Sequence, residues 1–247
     1  MILITVTHTQ GSVPREAGTW MVVTNNRIIG TLGGGNVEFQ AIAFAKTFQA
    51  PSTKRFALGP SLGQCCGGVM DLSFERIDAT HLALLEAKQD VACKPIALFG
   101  GGHVGRAIVD VLATLPYRIT WIDSRDEIFP EGVPSKVICE YSDPVQSAVS
   151  TLTAGSQVLI MSFSHAEDLE IVQQCLKRKR EQDDLPFIGL IGSKTKWATF
   201  KSRLRERGFT DAELALITCP IGVSGITGKE PEVIAVSVAA QLLQHRG

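Results

Sequence analysis

Absences narrow the field first. The six cysteines (Cys65, Cys66, Cys93, Cys139, Cys175 and Cys219) include no CxxC pair. That argues against a disulfide framework and a structural zinc site, and reduced thiols are the expectation. No apolar run approaches the ~20 residues of a membrane-spanning helix, and the opening MILITVTHTQ has neither the basic stretch nor the cleavage site of a secretory signal. A cytoplasmic location, away from membranes, is expected. The formal net charge is −1 at pH 7, whereas a dedicated nucleic-acid binder would show a strongly basic domain. The P-loop GxxxxGK[ST] and HExxH do not occur.

Clustered glycines are what the chain does have. Residues 58–68 read LGPSLGQCCGG, with Cys65 and Cys66 set among Gly63, Gly67 and Gly68. Glycine lets a ligand approach the main chain closely, so two thiols are presented on a bare loop. Adjacent cysteines do not readily bridge, because successive Cα atoms lie ~3.8 Å apart and bridged ones ~4.4–6.8 Å. The pair is therefore either two small buried hydrophobes or soft ligands that hold a metal or carry sulfur.

Around this stretch the first half reads as a small α+β domain over residues 1–90. Strands are predicted at 2–6, 20–23, 27–31, 54–58 and 69–74, and helices at 37–48 and 80–88. Between the first two strands lies GSVPREAG, where Arg15 is either solvated or set on an anionic ligand. Gly33, Gly34 and Gly35 deliver the chain to a helix start. Such a turn exposes N–H groups that favour an anion such as phosphate, or it is simply a tight strand-to-helix connection.

From residue 95 to 247 apolar runs alternate with helical periods, the pattern of a mostly parallel sheet with crossover helices. Residues 96–99 form a strand, followed at once by Gly100-Gly101-Gly102-His103-Val104-Gly105, a GxGxxG between strand and helix. Asp123 ends the next strand 23 residues past Gly100, close to the ~20 expected of an acidic residue that meets a ribose hydroxyl. A Rossmann-like domain is predicted, and Gly100, Gly102, Gly105 and Asp123 form a dinucleotide-type crevice. The glycines also serve helix–strand packing, so the fold does not require a bound nucleotide. Arg125 leaves the cofactor open between NAD and NADP, since an arginine there suits a 2′-phosphate.

Further on, Ser164 to Glu167 read as a capping box. His165 and Asp168 either face a ligand crevice or are a cap and a surface carboxylate. The basic run at 177–180 reads as a solvated helix end. Ser193 and Lys194, at a helix start after a strand, bind phosphate or a partner's carboxylate, or only cap the helix.

Taken in order, GSVPREAG (11–18), GTLGGGNVE (30–38), LGPSLGQCCGG (58–68), GGGHVGRA (100–107), DSRDEIF (123–129), MSFSHAEDLEI (161–171), FIGLIGSK (187–194), CPIG (219–222) and GKEPEVIAVSVAAQLL (228–243) cover nearly the whole chain. The series resembles the xanthine dehydrogenase accessory proteins of the XdhC/CoxI type. The resemblance implies a chaperone rather than a catalyst, which binds the molybdenum cofactor (molybdopterin), supports its sulfuration and delivers it to xanthine dehydrogenase or a related molybdenum hydroxylase. It implies that Cys65 and Cys66 contact the molybdenum or its sulfur, with Gln64, Arg15 and the 33–35 turn in support. A cysteine desulfurase as sulfur donor and a homodimer are further expectations. Alternative readings are an NAD(P)-dependent oxidoreductase built on the second half, or a docking scaffold. The chain departs from the family in starting directly at Met1-Ile2-Leu3, which reads as a shortened form or a misassigned start, and at residues 222–228, where GVSGITG replaces a more acidic loop.

Overall fold

The computed structural model describes residues 1–58, 67–91 and 93–245, without the side chains of 89–91. The chain forms two compact units, Met1–Lys88 and Gln89–Gly247.

The first unit contains strands β1 (Ile2–Gln10), β2 (Trp20–Val23), β3 (Ile28–Gly30), β4 (Ser52–Ala57) and β5 (Val69–Arg76), with helices α1 (Gly35–Lys46) and α2 (Ala79–Val91, which ends just inside the second unit). The strands make one antiparallel sheet, ordered β3-β2-β1-β5-β4. Side chains alternate across a strand, so Ile2, Ile4, Val6, Met70, Leu72 and Phe74 share one face and bury it against Val37, Ala41 and Ala45 of α1. On the opposite face Leu3 and Val22 pack with Ile77 and Leu82 at the start of α2.

The second unit contains β6 (Lys94–Phe99), α3 (His103–Leu112), β7 (Tyr117–Asp123), β8 (Val137–Tyr141), β9 (Gln157–Ile160), α4 (His165–Gln182), β10 (Phe187–Leu190), α5 (Lys194–Glu206), α6 (Asp211–Leu214), β11 (Ile217–Thr218) and α7 (Pro231–Gln244). Short 3-10 turns lie at Asp126–Ile128 and Val145–Thr151. Asp143 and Pro144 lead into the second of these, where the sequence suggests an α-helix. The sheet is parallel and ordered β11-β10-β9-β6-β7-β8. Because β6 opens the unit and β9 lies beside it, the winding reverses between them; ligands of such sheets bind at the strand C-termini at this point. Helices α3 and α7 cover one face, and α4, α5 and the 145–151 turn cover the other. The fold is thus α/β, an antiparallel α+β unit followed by a Rossmann unit.

One reading is corrected. In the basic run at 177–180, Arg178 is not solvated: it is buried, forks onto Asp184 at 2.9 and 2.6 Å, and donates to the carbonyls of Val149 and Leu152 at 2.6 and 2.8 Å. Those carbonyls flank the end of a 3-10 turn and need donors, which a guanidinium fork supplies in fixed geometry.

Candidate functional site

In the first unit three glycine-bearing stretches pack together. Gly68 lies so close to the 11–18 loop that a Cβ there would sit 2.3 Å from the Ser12 carbonyl oxygen, and one on Gly33 would sit 2.6 Å from Pro14 Cβ. Only glycine admits such an approach. The Leu58 N–H donates to the Gly68 carbonyl at 2.7 Å, and Leu58 is buried. The chain on either side of residues 59–66 is thereby fixed beside the loop that carries Arg15. Gln64, Cys65 and Cys66 themselves lie outside the described residues.

Arg15 is exposed, next to the 33–35 turn. The anion this turn holds is one of its own side chains. Glu38 Oε2 accepts from Thr31 Oγ1 at 2.6 Å and from the Leu32 and Gly34 N–H groups at 2.8 and 3.1 Å. The Gly33 N–H donates to Thr31 Oγ1 at 3.0 Å. Burial works to raise the Glu38 pKa, but these hydrogen bonds and the Arg15 charge outweigh it and hold the carboxyl below its ordinary value. Gly34 caps α1, and nothing stands within 4 Å of where its Cβ would be. Gly35 is the first residue of that helix. Glu38 was not singled out from sequence; an acid at the fourth helical position is a common first-turn feature, and its backward reach is a tertiary fact.

In the Rossmann unit the glycine turn is built as the motif requires. Gly105 packs on the Gly100 carbonyl, which also accepts from Trp121 Nε1 at 2.9 Å, and Gly102 is open. The acidic partner is engaged. Asp123 is 2% exposed; its Oδ2 accepts from the Gly101 N–H at 2.6 Å and Arg125 Nη2 at 2.9 Å, and its Oδ1 from the Arg125 N–H and Nε, both at 2.9 Å. Burial pushes this carboxyl up; the Arg125 fork and the two N–H bonds bring it below its ordinary value. The Arg125 guanidinium in turn lies 4.6 Å from the Phe163 ring centroid, and Ser124 Oγ donates to Glu167 at 2.7 Å.

His165 and Asp168 part company. Asp168 is buried, accepts from the Ser162 N–H and hydroxyl at 2.8 Å each, and pairs with Lys196 Nζ at 2.6 Å. Lys196 also donates to the Ile191 carbonyl at 2.8 Å. His165 is exposed and lines a cavity of about 410 Å³ with Ser193, Lys196 and Arg203. Ser193 caps α5 by accepting from the Lys196 N–H at 3.1 Å; Lys194 is exposed at the first position of that helix. Sequence reasoning chose Lys194 and missed Lys196, which lies one helical turn after the cap.

Burial raises the thiol pKa of Cys139, of Cys175 to about 12 and of Cys219 to about 11. Among the described residues, no group of three or more His, Cys, Asp or Glu side chains is placed to hold a metal ion. Nor is any helix there long and apolar enough to cross a membrane.

Family models match both units, the first described as the XdhC and CoxI family over residues 1–57 and the second as the XdhC Rossmann domain over residues 96–242. The chain belongs to the XdhC family. An Escherichia coli (strain K12) protein, "Uncharacterized protein YqeB", is 26% identical over 249 residues, which span 97% of this chain and 42% of YqeB. This XdhC-family chain therefore covers less than half the length of that relative. A crystal structure from Bacillus halodurans, described as a xanthine dehydrogenase, superposes with a TM-score of 0.79 at 20% identity, over 99% of this chain and 90% of that one. That likeness extends the fold assignment across both units.

Proposed function

We propose that this chain is an accessory protein that binds the molybdenum cofactor, supports its sulfuration, and delivers it to xanthine dehydrogenase or a related molybdenum hydroxylase. The observation that carries the reading is the XdhC-family match in both units. The packing of Gly68 on the 11–18 loop supports it, because it brings one flank of the double-cysteine stretch to the loop of Arg15. When bound, the cofactor supplies a thiophilic metal and an anionic phosphate. For the metal or its sulfur the chain offers Cys65 and Cys66, assisted by Gln64; for the phosphate it offers the exposed Arg15 and the open side of Gly34. A thiolate, not a thiol, is the ligand and nucleophile, and burial works against the thiolate at part-buried Cys139 and Cys219 and at fully buried Cys175, which favours Cys65 and Cys66 as the working pair. A cysteine desulfurase is the class of enzyme that would supply the sulfur.

The test is the protein purified from molybdenum-replete cells, with metal measured by elemental analysis and pterin by fluorescence. Wild type carries both, and Cys65→Ala/Cys66→Ala, folded by circular dichroism, loses most of both. Full retention by the double variant sinks the assignment of the cysteines; absence of pterin and molybdenum from wild type sinks the cofactor reading itself.

A further inference from the structure

A Rossmann turn invites an adenine dinucleotide, and the residues at Gly100–Gly105 and Asp123 allow that fit to be tested. The pyrophosphate end passes, because Gly102 is open and heads α3. The ribose end does not. A carboxylate has about four lone-pair sites on its two oxygens, and Asp123 accepts four hydrogen bonds from Gly101 and Arg125. No acceptor position is left for a ribose diol. The neighbouring space is bridged as well. Arg125 stacks on Phe163 and Ser124 bonds Glu167, so both contacts join the C-terminal end of β7 to the chain after β9, across the end of β6. Ile128 closes the third side, its Cγ1 2.6 Å from where a Cβ on Gly101 would be.

We propose that Arg125 is a specificity residue that shuts this crevice to NAD(H) and NADP(H), leaving a latent dinucleotide site with its own arginine seated on the ribose-binding carboxylate. A ribose would have to displace a bidentate charge-assisted pair, among the stronger hydrogen-bonded arrangements in proteins. Only the arginine side chain stands between Asp123 and the acceptor role; the Gly101 and Arg125 N–H groups occupy one site on each oxygen and would leave the other two to a diol. The inference does not depend on the molybdenum-cofactor reading, since it concerns only the second unit's ligand.

The experiment is titration of the full chain with NADH and NADPH, followed by cofactor fluorescence and calorimetry. Wild type is expected to bind neither at millimolar cofactor. Arg125→Ala is expected to bind NADH at least tenfold more tightly than wild type, and adding Asp123→Asn should remove that gain. If Arg125→Ala does not fold by circular dichroism, Arg125→Gln withdraws the charge and one arm of the fork and is expected to show the same direction. Micromolar binding of either cofactor by wild type overturns the proposal. So does a folded Arg125 variant that binds no better than wild type.

Discussion

The two glycine turns that lead into helices, Gly33–Gly35 and Gly100–Gly105, meet the same need in different ways. Each exposes backbone N–H groups, and each satisfies one or more of them with a carboxylate of the same unit. In the first unit the acid is Glu38, from the very helix the turn begins, and its three bonds converge on one oxygen. In the Rossmann unit it is Asp123, from a neighbouring strand, with both oxygens filled and a guanidinium of its own. A carboxylate from the helix shapes the turn and leaves its outer side open at Gly34. A carboxylate from the next strand, carrying Arg125, closes a crevice.

That difference is sharpest under truncation. Asp123→Ala strands a part-buried Arg125 and orphans the Gly101 N–H, and is expected to cost about 3 kcal/mol, as removing one partner of a buried pair does. Glu38→Ala removes a cap-like acceptor from a half-buried turn and is expected to cost about 1–2 kcal/mol. Urea unfolding measures both; equal losses would erase the distinction between the two turns. The smallest effect is in pH dependence. Both carboxyls are held below their ordinary values of 3.8 for Asp123 and 4.5 for Glu38. In acid the unfolded chain binds the proton first, so their contribution is complete above the ordinary value and is lost as pH falls from it through the folded value. Asp123→Asn and Glu38→Gln are each expected to flatten the acid limb of stability, measured from about pH 6 down to pH 3. Wild-type steepness in either variant would break the assignment for that turn.

Much of the scaffold was legible because it is written in local periods. The alternation in Ile2–Gln10 and Val69–Arg76, and the strand–glycine–helix run from Lys94 to Leu112, announce both sheets. Strand β11 escaped because two residues carry no period; it is defined by parallel pairing with Ile188 and Gly189. The inward turn of Arg178 and the Lys196–Asp168 pair escaped for a related reason. A basic residue on a helix reads as solvated until a distant carboxylate or carbonyl is placed beneath it. The open side of Gly34 and the filled oxygens of Asp123 were equally out of reach, since a glycine motif reports backbone shape and not what occupies it.

The packing of α7 on α3 has a consequence in the order of synthesis. Ala235, Val238, Ala239 and Leu242 cover the same cluster as Ile96, Leu98, Ile108 and Leu112, more than a hundred positions earlier. The first unit draws its core from a continuous early segment and is complete once α2 has emerged from the ribosome. One face of the Rossmann sheet, by contrast, has only α3 of its two helices through the translation of β7 to β11. Domains fold as units during synthesis, and transiently exposed hydrophobic surface makes incomplete chains prone to aggregate. This half of the molecule is therefore where a nascent chain depends most on being shielded until α7 arrives.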